Sequence, residues 1–508
     1  MKSKGTVYLV GAGPGDAGLL TLRGKELLRR ADVVIYDMLV NPELLKHAAP
    51  SAELISRGSR GTEKAMSQDD LNALMIARAN EGKCVVRLKG GDPYIFGRGG
   101  EEVEELVAAK IPFEVVPGVS SVFAAPNYAG IPITHRDHCS TFTVLTGHED
   151  PAKGDSNLDF EQIARVPGTK IILMGLKRLG ELTETLIARG LPSETPVAIV
   201  RSGTTGRQQS IEGTLSNIAK IAAEKNISPP AITVIGEVVK LRSKLNWFER
   251  RPLFGRRIVV TRTRAQASEL SRQLRDLGAT VLEIPTIKLE MPGNERKQDI
   301  VDALLELNSY SWLVFTSPNG VTAFFDLFFK RFHDLRDIGG ARIAAIGPAT
   351  AAKLRELHLQ VDVMPDAAVA VNMAAAINKF ENVENLKICL LRAEVANPDL
   401  PRALEALGAI VDDIAVYKTV PETADVTGHA ADLTEAGADW IMFTSSSTAE
   451  HFHARFDLPK LLKKFPQTKI ASIGPETSKA IRALDLEPTF EANPHSLEGL
   501  VAGLLKAK

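Results

Sequence analysis

Cysteine is scarce in this chain: its 508 residues include three, Cys84, Cys139 and Cys389, far apart and without a C-x-x-C pair. That excludes a disulfide framework or a cysteine-rich zinc site and leaves a reducing, cytoplasmic setting as the expectation. An excess of one charge is lacking as well. The formal net charge of −1 excludes a nucleic-acid binder that relies on bulk positive charge, so any anion site has to be local. Long apolar runs are also missing. TVYLV, near the start, is too short for a signal-peptide core and leads straight into a glycine-rich turn, and nothing later is long enough to span a bilayer. Neither secretion nor membrane insertion is expected. Aromatic content is low at 6%, yet 44% hydrophobic and 24% charged residues are ordinary globular values. A chain of this length exceeds one hydrophobic core and predicts roughly three or four compact units.

What is present alternates. From Thr6 to Val239 the β-rich runs TVYLV, DVVIYD, CVVRL, FEVV, FTVLTG, KIILMG, PVAIV and AITVIG are separated by stretches of helical periodicity, which predicts an α/β fold. Between Lys240 and Arg257 the character changes: Lys240, Arg242, Lys244, Arg250, Arg251, Arg256 and Arg257 stand against the single acid Glu249, with Pro252 and Gly255 as breakers. A charge run of this kind reads as a solvated hinge. The expected division is 1–245 (sub-domains about 1–134 and 135–245), a basic linker at 246–255, and 256–508.

The second half repeats itself. GRRIVVTR recurs as NLKICLLR, LGATV as LGAIV, WLVFTSPNGVTAFF as WIMFTSSSTAEHF, and RIAAIGPATAAKL as KIASIGPETSKAI, in the same order. Two copies of one α/β unit follow. Their Ser/Thr turns open helices, where backbone amides make anion sites; helix capping alone explains any one such turn equally well.

The first strand ends in GAGPGDAG, whose Gly13, Gly15 and Gly18 satisfy G-x-G-x-x-G, with Asp37 closing the next strand. This is the pattern of a dinucleotide site, and a dinucleotide-dependent oxidoreductase is one reading. Pro14 speaks against it by removing a backbone donor inside the loop, as does a second glycine-rich block, KGGDPYIFGRGGEE at 89–102. There Gly90 and Gly91 let a ligand approach the backbone, Asp92 offers a hydrogen-bond acceptor, and Pro93 stiffens the turn.

VYLVGAGPGD, VVIYD, RLKGGDPYIFGRGGEE, PGVSSVFAAPNYAGIPITHRD, LTGH, MGL and SPPAITVIGEVV, in that order, resemble the uroporphyrinogen-III C-methyltransferases of the tetrapyrrole methylase family over about Thr6 to Val239. The resemblance implies two α/β domains with S-adenosyl-L-methionine in the cleft between them, in a homodimer. It places Pro14, Gly90, Gly91, Asp92, Ile95, Ser120, Ser121, Met174, Gly203 and Ala231 at the cofactor and makes Asp37 a proton acceptor. For Met174 the competing reading is core filling, and for Asp37 an exposed strand-end acid. The chain departs from the family at Gly58-Ser59-Arg60, where relatives carry lysine, a proposed proton donor, in place of Ser59; Arg60 and Lys64 are the nearby cations.

The duplicated half, with VVTR, VFTSPNGV, AAIGPAT, VYKTV, FTSSST and SIGPET, resembles uroporphyrinogen-III synthase over about 256 to 508. That implies two flavodoxin-like domains joined near Pro285–Leu289 and Val416–Val420, and cyclisation of hydroxymethylbilane with inversion of its last pyrrole. Tyr417 matches the family tyrosine proposed to aid departure of the hydroxyl; packing at the interdomain strand is its other reading. Substrate carboxylates would meet Arg262, Thr316, Ser317, Asn319, Thr444, Ser445, Ser446 and Thr477. Together the resemblances imply a bifunctional enzyme that makes uroporphyrinogen III and methylates it twice to precorrin-2, on the way to siroheme or cobalamin, without a metal. A methyltransferase with a non-catalytic, tetrapyrrole-binding second half is the alternative.

Overall fold

A computed structural model describes residues 4–58, 66–148, 158–262, 264–365 and 370–507. Ser59, Arg60 and Lys64 lie outside the described residues. No helix among the described residues is long and apolar enough to cross a membrane.

The first sheet holds β1 (Val7–Gly11), β2 (Val33–Tyr36), β3 (Glu53–Ser56), β4 (Val85–Lys89) and β5 (Phe113–Val116), in the order β3-β2-β4-β1-β5. All its pairings are parallel, so helices cover both faces. Alternation along the strands supplies the two cores: Val33 and Ile35 pack with Leu71, Met75 and Leu106, whereas Val34 packs on the other side with Leu27, Leu28 and Leu44. The second sheet holds β6 (Phe142–Thr146), β7 (Thr169–Leu173), β8 (Pro196–Arg201), β9 (Gln209–Thr214) and β10 (Ala231–Ile235), ordered β6-β7-β10-β8-β9. There only β6 and β7 run parallel.

The second half contributes β11 (Arg257–Val260), β12 (Thr280–Glu283), β13 (Ile287–Glu290), β14 (Trp312–Phe315), β15 (Arg342–Ala345), β16 (Lys387–Ala393), β17 (Ile410–Pro421), β18 (Trp440–Phe443), β19 (Lys469–Ser472) and β20 (Phe490–Glu491). One sheet runs β12-β11-β18-β19-β20 and the other β13-β17-β16-β14-β15. In chain order the first is a 2-1-3-4-5 flavodoxin-like sheet; in the second, β17-β16-β14-β15 take the places of β12-β11-β18-β19, and β13 is added antiparallel along the extended β17. The repeats are exchanged in space. Strands β11 and β12, from the first sequence copy, pair with β18 and β19 from the second, while β16 and β17 pair with β14 and β15. Each sheet therefore combines halves of both copies, where the repeat by itself suggests one copy per domain. The chain crosses between the sheets at β12–β13 and at the end of β17.

The basic stretch is packed, which corrects its reading as a solvated hinge. Phe248 is 4% and Leu253 1% exposed. Tyr128, Trp247, Phe248 and Phe254 form an aromatic cluster over which Arg251 lies, 4.7 Å from the Trp247 ring centre. Glu249 accepts from Gln208 (2.8 Å), Ser210 (2.6 Å) and Arg242 (2.7 Å). Burial raises its carboxyl, and these donors outweigh that and hold it below the usual range. The apolar residues interleaved with the cations decided the outcome. A second junction joins the halves: Arg275 pairs with Glu283 and Glu43, each at 2.8 Å, and Lys46 pairs with Glu43 (3.0 Å) and with Glu283.

Candidate functional site

The two glycine blocks meet at the ends of β1 and β4. Ala12 N donates to Lys89 O (2.7 Å), Gly13 N to Gly91 O (3.2 Å) and Gly91 N to Gly13 O (2.7 Å). Backbones this close admit no side chains: a Cβ on Gly11 would sit 2.4 Å from Gly118 Cα. On Gly91, by contrast, a Cβ would enter open space at φ +68°. The interlocked loops thus leave an open, backbone-lined cradle at Gly91. Gly90 has Leu39 beside it, 3.2 Å from a would-be Cβ.

Asp92 orders this loop. One carboxylate oxygen accepts from Tyr94 N (2.8 Å) and Ile95 N (3.2 Å), the other from Gly118 N (3.0 Å). These bonds make it a carboxylate that shapes the turn, beside its expected part as an acceptor at the cofactor. Ile95 lines an apolar cavity of about 220 Å³ with Tyr94, Phe96, Val122, Phe123 and Val144. Ser120 caps the helix Ser121–Tyr128, its hydroxyl accepting from Val122 N at 3.3 Å, and Ser121 opens that helix.

The second sheet closes the cleft. Gly15, after Pro14, lies against Gly203 and Thr204, and Asp16 N donates to Thr204 Oγ1 at 3.0 Å. Asp16 also accepts from the Tyr128 hydroxyl (2.8 Å); burial, then this bond, push that phenol up. Gly203 packs on Ala125, where a Cβ would fall 2.6 Å away. Met174, Ser202 and Thr204 all have positive φ, 54°, 47° and 69°, a conformation costly for a β-branched residue such as Thr204 and characteristic of functional loops. Met174 is 50% exposed, so it is not core filling. Ala231 begins β10, paired with Arg201 just before the 202–204 turn.

Asp37 follows β2. Arg87 Nη2 donates to its Oδ1 at 2.6 Å, and Arg57 stands 3.9 Å from the same oxygen. It is ion-paired and partly buried, which revises the picture of an exposed strand-end acid.

In the second half the candidate residues gather at the strand ends where each sheet's order reverses, the place where open α/β sheets bind ligands. Arg262 follows β11, beside Thr444, Ser445 and Ser446 after β18; burial lowers its guanidinium. Ser445 caps the helix Ser446–Phe456 in a reciprocal box with Thr448, and Ser446 donates to Glu476 O at 2.9 Å. Thr316 precedes Ser317, which caps the helix Pro318–Arg331 that contains Asn319, and Ser317 Oγ lies 3.1 Å from the Tyr417 hydroxyl. Thr477 lies in the first turn of the helix Pro475–Arg482 after β19, its side chain 3% exposed. Arg392, next to last in β16 and the repeat partner of Arg262 by the alignment of VVTR with CLLR, is paired with Asp413 and donates to Asn397 O at 2.6 Å.

Residues 6–219 match the Tetrapyrrole (Corrin/Porphyrin) Methylases and residues 268–502 match Uroporphyrinogen-III synthase HemD. A porphyrin biosynthesis protein HemD of Ruminiclostridium josui is 36% identical over 505 residues, spanning 99% of this chain and 98% of the relative. The chain belongs to the tetrapyrrole methylases fused to a uroporphyrinogen-III synthase. An S-adenosyl-L-methionine-dependent uroporphyrinogen III methyltransferase of Methanosarcina barkeri is 51% identical over 241 residues, 47% of this chain and 94% of that protein. The uroporphyrin-III C-methyltransferase of Thermus thermophilus solved with S-adenyl homocysteine is 37% identical, covering 47% of this chain and all of its own, with a TM-score of 0.40. With that membership the dinucleotide reading falls, and the fused methylase and synthase are enzymes of tetrapyrrole biosynthesis.

Proposed function

We propose that the second half cyclises hydroxymethylbilane to uroporphyrinogen III and the first half methylates this product twice, giving precorrin-2. The two family matches on one chain carry this reading, because they pair a synthase with the enzyme that consumes its product, and the similarity to one relative runs through both. The methylase unit spans 1–245 and the synthase 256–508, with 246–255 as the join. S-adenosyl-L-methionine supplies the electrophilic methyl group. Around it the Gly90–Asp92 loop holds the methionine end, Met174, Gly203 and Ala231 border the nucleoside, and the interlocked glycine backbones exclude water. An electron-rich pyrrole carbon then needs alignment more than activation, and Asp37 accepts the proton the macrocycle sheds. In the synthase half, Tyr417, oriented by Ser317, assists loss of the substrate hydroxyl, while Arg262 and the helix starts after β14 and β18 meet the carboxylates.

The methylase half works as a homodimer through its exposed apolar side chains, among them Tyr94, Phe96, Phe123 and Phe142, in the cytoplasm. Light scattering on the intact chain checks the first point, with a monomer overturning it. The decisive experiment incubates the protein with hydroxymethylbilane, with and without S-adenosyl-L-methionine. Uroporphyrinogen III without the cofactor and precorrin-2 with it are expected. Uroporphyrinogen I alone, the uncatalysed product, would leave a methylase with a non-catalytic second half.

A further inference from the structure

Beneath Asp37 lies a buried ring of polar side chains that neither reaction's residues account for. Glu102, in the first turn of the helix Gly99–Ala108, is fully buried, whereas its neighbour Glu101 pairs with Arg98 at the surface. One oxygen of Glu102 accepts from Lys89 Nζ (2.7 Å), from Arg87 Nη2 (3.4 Å) and from Gln68 Nε2 (3.3 Å). Arg87 continues to Asp37 at 2.6 Å. On the other side Arg57 Nη2 donates to Gln68 Oε1 (3.0 Å) and Arg57 Nη1 stands 3.9 Å from Asp37. The circuit Asp37–Arg87–Glu102–Gln68–Arg57 is thereby closed.

Such a ring is costly. Arg87, Lys89 and Glu102 are almost wholly buried, and Arg87 Nε and Glu102 Oε2 find no partner among the described residues. Burying charges with incomplete hydrogen bonding destabilises a fold relative to apolar packing, so stability does not explain the arrangement. Position does: Arg87 and Lys89 share a face of β4, Arg87 in register with Ile35 of β2 and reaching Asp37 with its guanidinium, Lys89 just before the Gly90–Asp92 loop. Burial, then the charge of Arg87, lower the Lys89 ammonium, and Glu102 and Asp37 oppose that. Among the described residues, the groups facing Asp37 are thus Arg57 beyond β3, Arg87 and Lys89 on β4, and Glu102 behind them.

We propose that Glu102 is a positioning residue for methyl transfer, fixing the Asp37 carboxylate through Arg87 and through Gln68 and Arg57 while its charge balances the buried Lys89. This rests on Asp37 as the proton acceptor. Without the Glu102 charge, the positive fields of Lys89 and Arg87 fall on Asp37 unbalanced.

The test follows methylation of supplied uroporphyrinogen III against pH in wild type, Asp37→Asn, Glu102→Gln and Lys89→Met/Glu102→Gln, with S-adenosylhomocysteine affinity measured for each. The acidic limb, assigned by its loss in Asp37→Asn, should move down by roughly one pH unit or less in Glu102→Gln. Its kcat should fall about tenfold, with cofactor affinity within about twofold of wild type. Removing Lys89 as well should return the limb toward wild type. A Glu102→Gln protein that binds the cofactor with an unmoved limb overturns the proposal, as does a double variant that keeps the shift. Should Glu102→Gln fail to fold, Gln68→Met cuts one arm of the ring and leaves the buried charges paired. Slower turnover at unchanged cofactor affinity supports the proposal there, and wild-type kcat overturns it. Failure of the parent reading looks different: wild type would not methylate, or Asp37→Asn would keep the limb.

Discussion

The two clefts are built by different means. In the methylase half, backbone segments come into near contact: a Cβ would fall within 3 Å of another chain segment at Gly11, Gly118, Gly147 and Gly203, and Met174, Ser202 and Thr204 adopt left-handed conformations. In the synthase half, the candidate serines Ser317 and Ser445 sit at φ −156° and −165°, ordinary extended backbone, and cap their helices. A cofactor of fixed shape rewards fixed backbone, since orientation there is set once. A long substrate carrying many carboxylates is served by amide-rich helix starts that leave room.

The sharpest way to break that contrast is Gly118→Ala. The added Cβ would lie 2.2 Å from Gly91 O and 2.7 Å from Gly11 Cα, forcing the interlocked loops apart. Cofactor affinity should drop by at least about 100-fold, while cyclisation of hydroxymethylbilane by the same protein stays within about twofold. Calorimetry with S-adenosylhomocysteine and a cyclisation assay on one preparation decide it; equal losses in both would show that the two halves do not hold their sites independently.

Next in size is Asp37→Asn, which keeps volume and one acceptor oxygen for Arg87. Methylation should slow by about 10²-fold or more, the usual contribution of a positioned base, with cofactor affinity retained. Wild-type turnover would take Asp37 out of the chemistry. Smaller again is Tyr417→Phe, because substrate shape does most of the work in the open cleft. Cyclisation should slow by about 10- to 100-fold without loss of folding. Ser317→Ala should weaken it less, and the double variant should show coupling through the 3.1 Å contact. Full activity in Tyr417→Phe would leave the tyrosine a packing role.

The same contrast explains what the sequence made legible. Strained glycine loops tolerate few alternatives, so GAGPGD and KGGDP were readable and the structure brings both together. Eight apolar runs of the first half are strands, but β3 and β9 escaped, because ELIS and QSIEGT are short edge strands with half-exposed, mixed faces. Capping turns are common, so the synthase serines were found through the repeat rather than through their chemistry. The repeat revealed likeness and could not reveal exchange: nothing in LGATV and LGAIV says which neighbour each strand takes. Glu102 looked like any acid in a first helical turn, since burial depends on what packs against it. The stretch from Lys240 to Arg257 misled because its cations outnumbered its aromatics, although Phe248 and Leu253 fix its place.

That stretch also yields the smallest expected effect. Seven basic residues from Lys240 to Arg257, around the join of the modules, suggest a track along which the carboxylates of uroporphyrinogen III could pass from synthase to methylase. Their partners argue otherwise: Arg242 is bonded to Glu249 and Ala129 O, Lys240 to Glu237, Arg250 to Ser243 O, and Arg256 and Arg257 to Asp439 and Asp432. Arg251 covers the Trp247 and Phe248 rings. A cation already paired has less field to offer an incoming anion, and the remaining attraction between exposed groups is screened within about 10 Å at moderate salt. Proximity alone does little for a small ligand that diffuses away faster than it is captured. The fusion is therefore expected to fix equal amounts of the two activities rather than to channel. Labelled hydroxymethylbilane competed with unlabelled uroporphyrinogen III should give precorrin-2 diluted as fully as free mixing predicts, and Lys244→Gln/Arg250→Gln should change that dilution by less than about 20%, well inside one RT of free energy. Retention of label that salt abolishes would reverse the conclusion and make the basic face a path between the clefts.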